Sequence, residues 1–280
     1  MKQAISSMPL FIKICFIIVL TVIIGAIFAS LISPYDPNAQ VLLDRNKHPS
    51  FAGGDMANIF GTDELGRDIF SRLLYGAQVS IAMALVGLIF GSIIGVVLGL
   101  TSGYFGGWWD RLVMMAVNFQ QSIPFTLVIL IGVIIFGRGI PVLMIFIGIA
   151  KWESYTRFVR GLVLSLKEKQ FIEAAQSYNA SSFRIMFKHI FPALTSSLIV
   201  LITLNFPGVL LLESSLSFIG IGVQPPTATL GQMVGAGRNY LTTNPWIAVM
   251  PAIIIVILSY SVQSIGEWLR DKLDVKKADN

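Results

Sequence analysis

The chain has 280 residues, of which 55% are hydrophobic and only 12% are charged, whereas soluble domains average about 25% charged residues. Lys and Arg number 20 against 15 Asp and Glu, and a single cysteine, Cys15, excludes an intramolecular disulfide framework or a multi-cysteine metal site. Several long stretches lack charged residues altogether, among them 73–109, 112–137, 190–212 and 239–266. Each of these four is long enough for the roughly 20 apolar residues that a spanning helix needs. The composition predicts an all-α polytopic membrane protein.

Six transmembrane helices are predicted along the chain. Their ranges are 10–32, 79–101, 112–136, 140–163, 193–212 and 246–266. A cleaved signal peptide is the alternative for the first range, but its apolar run is long and lacks a clear small-x-small exit site. We therefore expect residues 1–32 to form an N-terminal tail and the first transmembrane helix.

The distribution of Lys and Arg in the loops predicts the orientation. Residues 151–189 hold seven basic and three acidic residues, a net of 7 − 3 = +4, whereas residues 33–78 hold four basic and six acidic residues, a net of 4 − 6 = −2. The first segment is expected in the cytoplasm and the second outside it. With six spans, the N- and C-termini are then both cytoplasmic.

The loop at 33–78 contains several Pro and Gly residues, which predicts little regular structure. Its last part, 63–75, alternates charged and apolar residues at helical spacing and is expected to lie at the membrane surface. Residues 79–280 are expected to form a five-helix core that includes a cytoplasmic loop at about 165–192, called the coupling loop below.

The sequence lacks the motifs of common enzymes. The dipeptide Gly-Lys of a phosphate-binding GxxxxGK[ST] loop never occurs, nor does a GxSxG motif. His48 and His189 are far apart in sequence and fit no HExxH-like spacing. No catalytic, cofactor-binding or metal-binding residues are predicted, and a membrane-embedded enzyme is disfavoured.

Few ionisable residues lie in or near the spans, and these are candidates for a transport pathway or gate. They are Lys151, Glu153, Arg157 and Glu213. Glu153 and Arg157 are four residues apart and are expected to pair, so a neutralised ion pair is the alternative to a pathway role. Pro207 precedes a glycine in the fifth span and predicts a kink at a cavity or gate, with a tolerated helix irregularity as the alternative.

The coupling loop carries the most informative pattern. Residues 168–178 are predicted to form a short helix, and Ser181 or Ser182 to cap a second helix that ends at Pro192. Asn179 lies at the joint, and Asn is the non-glycine residue that best tolerates the left-handed conformation. Four apolar residues are predicted on one face of the second helix: Phe183, Met186, Phe187 and Ile190. A generic amphipathic loop on lipid headgroups is the alternative.

This loop resembles the cytoplasmic signature of permease subunits of bacterial ATP-binding-cassette (ABC) importers. That signature is EAA, three residues, Gly, and then a spaced Ile-x-Leu-Pro. Here it is Glu173, Ala174 and Ala175, three residues, Asn179, and then Ile190, Phe191 and Pro192. Asn replaces the usual Gly and keeps the left-handed turn possible, and Phe replaces the usual Leu and keeps an apolar contact.

Three other segments narrow the resemblance to the C-type permease of the dipeptide, oligopeptide and nickel group. Residues 61–76 are similar to that group's GTDxxGRDxxSRxxYG segment, residues 216–226 to LSFLGLGVQPP, and residues 268–274 to the WLRDxLDP ending. Val275 stands where Pro is usual, and Leu230 where Trp is usual. The likeness extends over nearly the whole chain.

The resemblance implies the type I ABC importer permease architecture in a bacterial inner membrane. It also implies three kinds of partner besides the lipid bilayer: a second, B-type permease subunit, two ABC ATPases that carry ATP and Mg²⁺, and a periplasmic substrate-binding protein. No nucleic-acid partner and no cofactor in this chain are expected. Glu173 and the apolar face of the coupling loop would then contact an ATPase.

Peptide cargo is expected, with nickel or a metal-opine complex as the alternative. A secondary carrier or channel is the rival class of protein.

Overall fold

The computed structural model describes residues 8–278, and the remaining parts of the predicted terminal tails lie outside the described residues. Within the described range the chain is helical and contains no β-strand. The helices are α1 Leu10–Ile27, α2 Ala29–Ile32, α3 Ile69–Phe105, α4 Gly107–Ser122, α5 Phe125–Phe136, α6 Ile140–Ile149, α7 Trp152–Lys167, α8 Gln170–Ser177, α9 Ser182–Arg184, α10 Phe191–Phe218, α11 Leu230–Gly237 and α12 Trp246–Ala278. A π-helical segment, Ile185–Ile190, joins α9 to α10, and 3-10 turns occur at Leu42–Asp44, Ser50–Ala52 and Arg238–Tyr240.

Four helical segments in the described part of the chain are long and apolar enough to cross a membrane, or five if a bent helix pair counts as one span. They are Leu10–Ile27, Ile69–Phe105, Ser182–Phe218 and Trp246–Leu273, and the bent pair is Gly107–Ser122 with Phe125–Phe136. The chain is thus a multi-pass protein by the length and composition of its helices. The predicted count of six spans stays a prediction.

The segment predicted as the third span, 112–136, is bent in the structure. Helices α4 and α5 meet at an angle of 87°. Ile123 between them has φ −109° and ψ 129°, an extended conformation, because the ring of Pro124 disfavours the helical conformation in the residue before it.

The predicted fourth span, 140–163, is also interrupted. Helix α6 ends at Ile149, and α7 begins at Trp152 and continues to Lys167. Lys151, at φ −122°, lies directly before α7 and departs from helical geometry. Lys151 thus occupies a break between two helices rather than the middle of one.

The described contacts divide the chain into two compact units. The first contains the chain up to Leu85 together with Val133–Leu143 and Phe206–Ile265. The second contains Val86–Gly132, Met144–Asn205 and the chain from Gly266. The domain boundaries expected from the sequence at 32/33 and 78/79 stay predictions.

In the first unit, the GTDELGRD segment forms a buried polar network ahead of α3. Asp63 accepts hydrogen bonds from the Arg67 backbone N–H at 3.0 Å and from Arg67 Nε at 2.6 Å. Asp68 accepts from the backbone N–H of Ser71 at 2.8 Å, as N-cap side chains do at the start of a helix. The helical spacing at 63–75 therefore gave only part of the structure, since residues 63–68 form a turn and the helix begins at Ile69.

In the second unit, a stripe of glycines on α3 lets α6 and α7 approach closely. The glycines recur every four residues: Gly87, Gly91, Gly95, Gly99 and Gly103. A Cβ atom on Gly91 would lie 2.6 Å from the carbonyl oxygen of Gly148 in α6, and one on Gly99 would lie 2.6 Å from that of Thr156 in α7. Small residues at this spacing allow close packing between membrane helices.

Candidate functional site

The coupling loop follows α7 and leads into α10. Its first helix, α8, covers Gln170–Ser177, so the short helix predicted at 168–178 is confirmed with slightly narrower bounds. Ile172 on this helix is fully buried, whereas Glu173 and Ala174 are exposed and Ala175 is half-buried. The three residues of the EAA motif thus run from solvent toward the packed interior of the unit.

The joint between the two helices has the left-handed geometry predicted for Asn179. Its φ is 54°. The backbone N–H of Ala180 donates to the carbonyl of Ala175 at 3.1 Å, and that of Asn179 donates to Gln176 at 2.9 Å. This pair of hydrogen bonds is the Schellman motif that ends helices at a left-handed residue. Ser181 then caps the next helix by accepting from the Arg184 N–H at 3.4 Å.

The prediction that the second helix of the loop ends at Pro192 is wrong. The chain continues through the π-helical segment into α10, and Pro192 is the second residue of that helix. In this continuous helix Pro192 lies just after the π-helical segment, and its missing N–H removes one hydrogen bond from the helix at that point. The loop is therefore joined to the long α10 by continuous helix.

The single apolar face predicted for the second loop helix divides into a buried side and an exposed side. Met186 is 5% exposed and Ile190 is fully buried, so these two residues pack inside the unit and are not available to a partner. They belong to one core with residues of four helices: Leu100, Tyr104, Val159, Val163, Ile172, Ile185, Leu194 and Leu198.

The exposed side is a row of aromatic residues, Phe183, Phe187 and Phe191, called the aromatic stripe below. Phe183 is 67% exposed and Phe187 46% exposed. Their ring centroids lie 4.4 Å apart, and those of Phe187 and Phe191 lie 6.4 Å apart. A stacked aromatic surface open to solvent is typical of a protein contact.

Two polar ties hold the helices around the coupling loop. Lys167, the last residue of α7, donates to the Tyr104 carbonyl near the end of α3 at 2.7 Å, where cations suit the helix dipole. Arg160 of α7 binds both carboxylate oxygens of Asp110 in α4, at 2.5 and 2.7 Å. The sequence analysis did not predict either tie, because both join residues at least 50 positions apart.

The predicted direct ion pair between Glu153 and Arg157 is wrong. The side-chain amide of Gln121 in α4 lies between them: its nitrogen donates to Glu153 at 3.0 Å, and its oxygen accepts from Arg157 at 2.7 Å. The sequence gives no signal for Gln121, since its side chain is not ionisable and it lies more than 30 positions from both partners. An amide can serve both partners because it donates and accepts.

The other pathway candidates lie in different settings. Pro207 is half-buried inside α10, which continues past it to Phe218. Glu213 is 1% exposed and accepts from Ser217 Oγ at 2.8 Å, with Ser80 and Thr229 also in hydrogen-bond contact. The structure encloses Glu213 with hydroxyl groups of its own unit. Roles of Lys151, Glu153, Arg157, Pro207 and Glu213 in a pathway stay predictions.

Comparison with known families identifies the class of protein. Residues 95–275 match the family described as binding-protein-dependent transport system inner membrane component, and residues 13–49 match the N-terminal TM domain of oligopeptide transport permease C. The chain belongs to the binding-protein-dependent transport system inner membrane component family. It is a permease subunit of an ABC importer, of the C type found in the peptide and nickel group.

Curated relatives agree with this assignment. The chain is 39% identical to the glutathione transport system permease protein GsiD of Escherichia coli O6:K15:H31 (strain 536 / UPEC) and to GsiD of Shigella boydii serotype 4 (strain Sb227). Each match extends over 259 residues, 92% of this chain and 84% of the relative.

A solved structure supports the fold alone. The inward-facing MetNI methionine ABC transporter in its CY5 native crystal form is 24% identical, with a TM-score of 0.56, and the match covers 71% of this chain and 95% of the solved one.

Proposed function

We propose that this chain forms half of the translocation pathway of an importer that carries short peptides across the bacterial inner membrane. The matches to a glutathione permease and to the oligopeptide permease C domain support this cargo class, since glutathione is a small peptide-like molecule. The proposal includes six spans, cytoplasmic termini, a second B-type permease, two ABC ATPases and a periplasmic binding protein. The nickel and metal-opine alternatives find no such support.

The observation that carries the proposal is the aromatic stripe, which lies on the packed core of the second unit and is exposed for contact with an ATPase. Phe183 and Phe187 are exposed, although the residues beside them on the same helical segment are buried in the core of the unit. Exposed aromatic residues next to a well-packed core are the usual anchors of protein interfaces. Glu173 is exposed on the adjoining helix and supplies a charge for a cationic group on an ATPase.

Motion of the coupling loop is expected to move the helices connected to it. An ATPase that pushes the stripe also pushes α10, because the chain is helical without interruption from Ser182 to Phe218. The core beneath the stripe includes residues of α3 and α7, so these helices move with the loop rather than past it. ATP and Mg²⁺ bind to the partner ATPases in this mechanism, and the present chain converts their closure into helix motion.

The test is a pair of loop variants with a matched control. Glu173→Arg should abolish substrate-stimulated uptake and reduce ATPase co-purification, because it places like charge against the partner's cation. Phe187→Asp should do the same by burying an unpaired charge in the interface, at a cost of several kcal/mol. The control is Glu168→Arg, since Glu168 is an exposed acid directly after α7 and outside the proposed contact.

The rival interpretations give different results. A loop that rests on anionic headgroups predicts that Glu173→Arg is harmless or helpful. A secondary carrier predicts uptake by the purified chain alone in liposomes. Wild-type uptake with full ATPase retention in Glu173→Arg would refute the coupling assignment, and uptake without ATPases would refute the importer assignment.

A further inference from the structure

A cleft of about 240 Å³ opens beside the end of α10, within the first unit. The end of α10, the turn at 219–225 and the segment from α11 to Arg238 form its walls. The turn belongs to the motif at 216–226 that supports the family resemblance, and the coupling mechanism gives it no role. Arg238 is the only charged residue that lines the cleft.

Arg238 contacts an aromatic ring and has no acidic partner among the described residues. Its side chain lies over the ring of Phe218, with 5.9 Å from Cζ to the ring centroid, as in a cation–π contact. None of the ion pairs between described residues involves Arg238. The residue is exposed, so its guanidinium donors are available at the mouth of the cleft.

Gln232 supplies a second set of donors on the wall of the cleft. Its side-chain oxygen accepts a hydrogen bond from Arg72 Nη2 at 3.3 Å. Arg72 is only 2% exposed and also donates to the carbonyl of Pro37 at 2.9 Å, so its position is fixed. Since arginine can only donate, the amide oxygen of Gln232 must face it, and the two N–H donors of the amide remain for a ligand.

The walls of the cleft are close-packed. A Cβ atom on Gly235 of α11 would lie 2.9 Å from the carbonyl oxygen of Phe218, so α11 lies directly against the end of α10. The side chain of Gln224 donates to the carbonyls of Gly220 at 3.1 Å and Gly222 at 2.9 Å and closes the turn on itself. The backbone segments that carry Arg238 and Gln232 are thus packed against the end of α10.

We propose that this cleft binds a carboxylate, with Arg238 and Gln232 as its donors. A guanidinium and an amide N–H₂ group that line one cleft supply N–H donors to the oxygens of a carboxylate, and the bonds from the guanidinium are charge-assisted. The inference deepens the proposed function and rests on it, because the carboxylate comes either from a peptide cargo or from an acidic side chain of the binding protein that delivers it.

The experiment uses the assembled transporter in nanodiscs with its binding protein. ATP hydrolysis is titrated with the binding protein, either loaded with glutathione or free of cargo. Arg238→Gln should raise the half-saturating concentration about tenfold, the change expected when a charge-assisted hydrogen bond is lost. Arg138→Gln is the matched control, since Arg138 is exposed in the same unit and does not line the cleft.

A second variant keeps the test valid if Arg238→Gln fails to assemble. Gln232→Glu preserves the acceptor for Arg72 but replaces the two N–H donors of the amide with a carboxylate, which would repel a carboxylate ligand, so it should also weaken the response. If the half-saturating concentration rises only with the cargo-loaded binding protein, the carboxylate belongs to the cargo. If it rises with both forms, the carboxylate belongs to the binding protein. Unchanged half-saturation in both variants overturns the carboxylate site. Absence of stimulation in the wild type by any peptide-loaded binding protein counts instead against the proposed cargo.

Discussion

Asn179 sets the angle between the two helices of the coupling loop. Its φ of 54° lies in the left-handed region, and the Schellman hydrogen bonds around it exist only because the backbone turns there. For an L-residue this conformation costs about 1–2 kcal/mol, which Asn tolerates better than most residues and Gly avoids. The resemblance to a Gly-containing motif is thus explained by one backbone angle.

Substitutions at Asn179 should follow the cost of that angle. Asn179→Gly should leave uptake and thermal stability of the complex close to wild type. Asn179→Val should destabilise the loop by about 1–2 kcal/mol and reduce ATPase co-purification, because a β-branched side chain cannot adopt a positive φ cheaply. Ser177→Val is the control, since Ser177 is exposed in α8 and has ordinary helical geometry. Equal ATPase retention in Asn179→Val and Ser177→Val would contradict this account.

The sequence predicted the residues of the coupling loop better than their roles. Helical spacing placed Phe183, Met186, Phe187 and Ile190 on one face, because each is apolar and lies three or four positions from others of the set. Periodicity cannot show which part of an apolar face the protein itself covers. In the structure the core takes Met186 and Ile190 and leaves Phe187 exposed, a division that depends on residues of α3 and α7 distant in sequence.

The sequence predicted which segments are apolar better than it predicted the shape of the helices that they form. An apolar run indicates that a segment can lie in a bilayer, but it carries no information on whether the segment bends there. The break at Pro124 had a local signal, the effect of proline on the preceding residue, which the span prediction did not use. The break at Lys151 has no comparable signal, since its neighbours are compatible with a helix.

The glycine stripe of α3 yields a prediction about helix packing. Gly99→Leu should destabilise the purified complex, because a Cβ atom there would already lie 2.6 Å from the Thr156 carbonyl oxygen and 2.8 Å from the Val159 Cβ. Overpacking of this kind costs about 1–3 kcal/mol. The control is Gly161→Leu, since a Cβ on Gly161 of α7 meets no atom within 4 Å. Thermal unfolding should separate the two variants, and equal melting temperatures would show that α3 and α7 can move apart.

The orientation of the molecule in the membrane depends on the distribution of charge along the whole chain. The positive-inside rule needs only the sums over the loops, so the predicted orientation does not depend on the bends that the sequence failed to show. The ion pair of Arg160 with Asp110 neutralises one basic residue of the 151–189 segment in the folded state. The positive-inside rule, however, acts on the chain as it inserts.

Thiol labelling tests this orientation in a Cys15→Ser background, which removes the one cysteine. Ser182→Cys in the coupling loop should be protected from an impermeant thiol reagent on intact spheroplasts and react after permeabilisation. Ala57→Cys in the 33–78 loop should react on intact spheroplasts, because the net charge of −2 places that loop outside. Both positions are exposed, so protection at either one reports sidedness rather than burial. Labelling of position 182 with protection of position 57 would reverse the topology, and with it the assignment of the coupling loop to the ATPases.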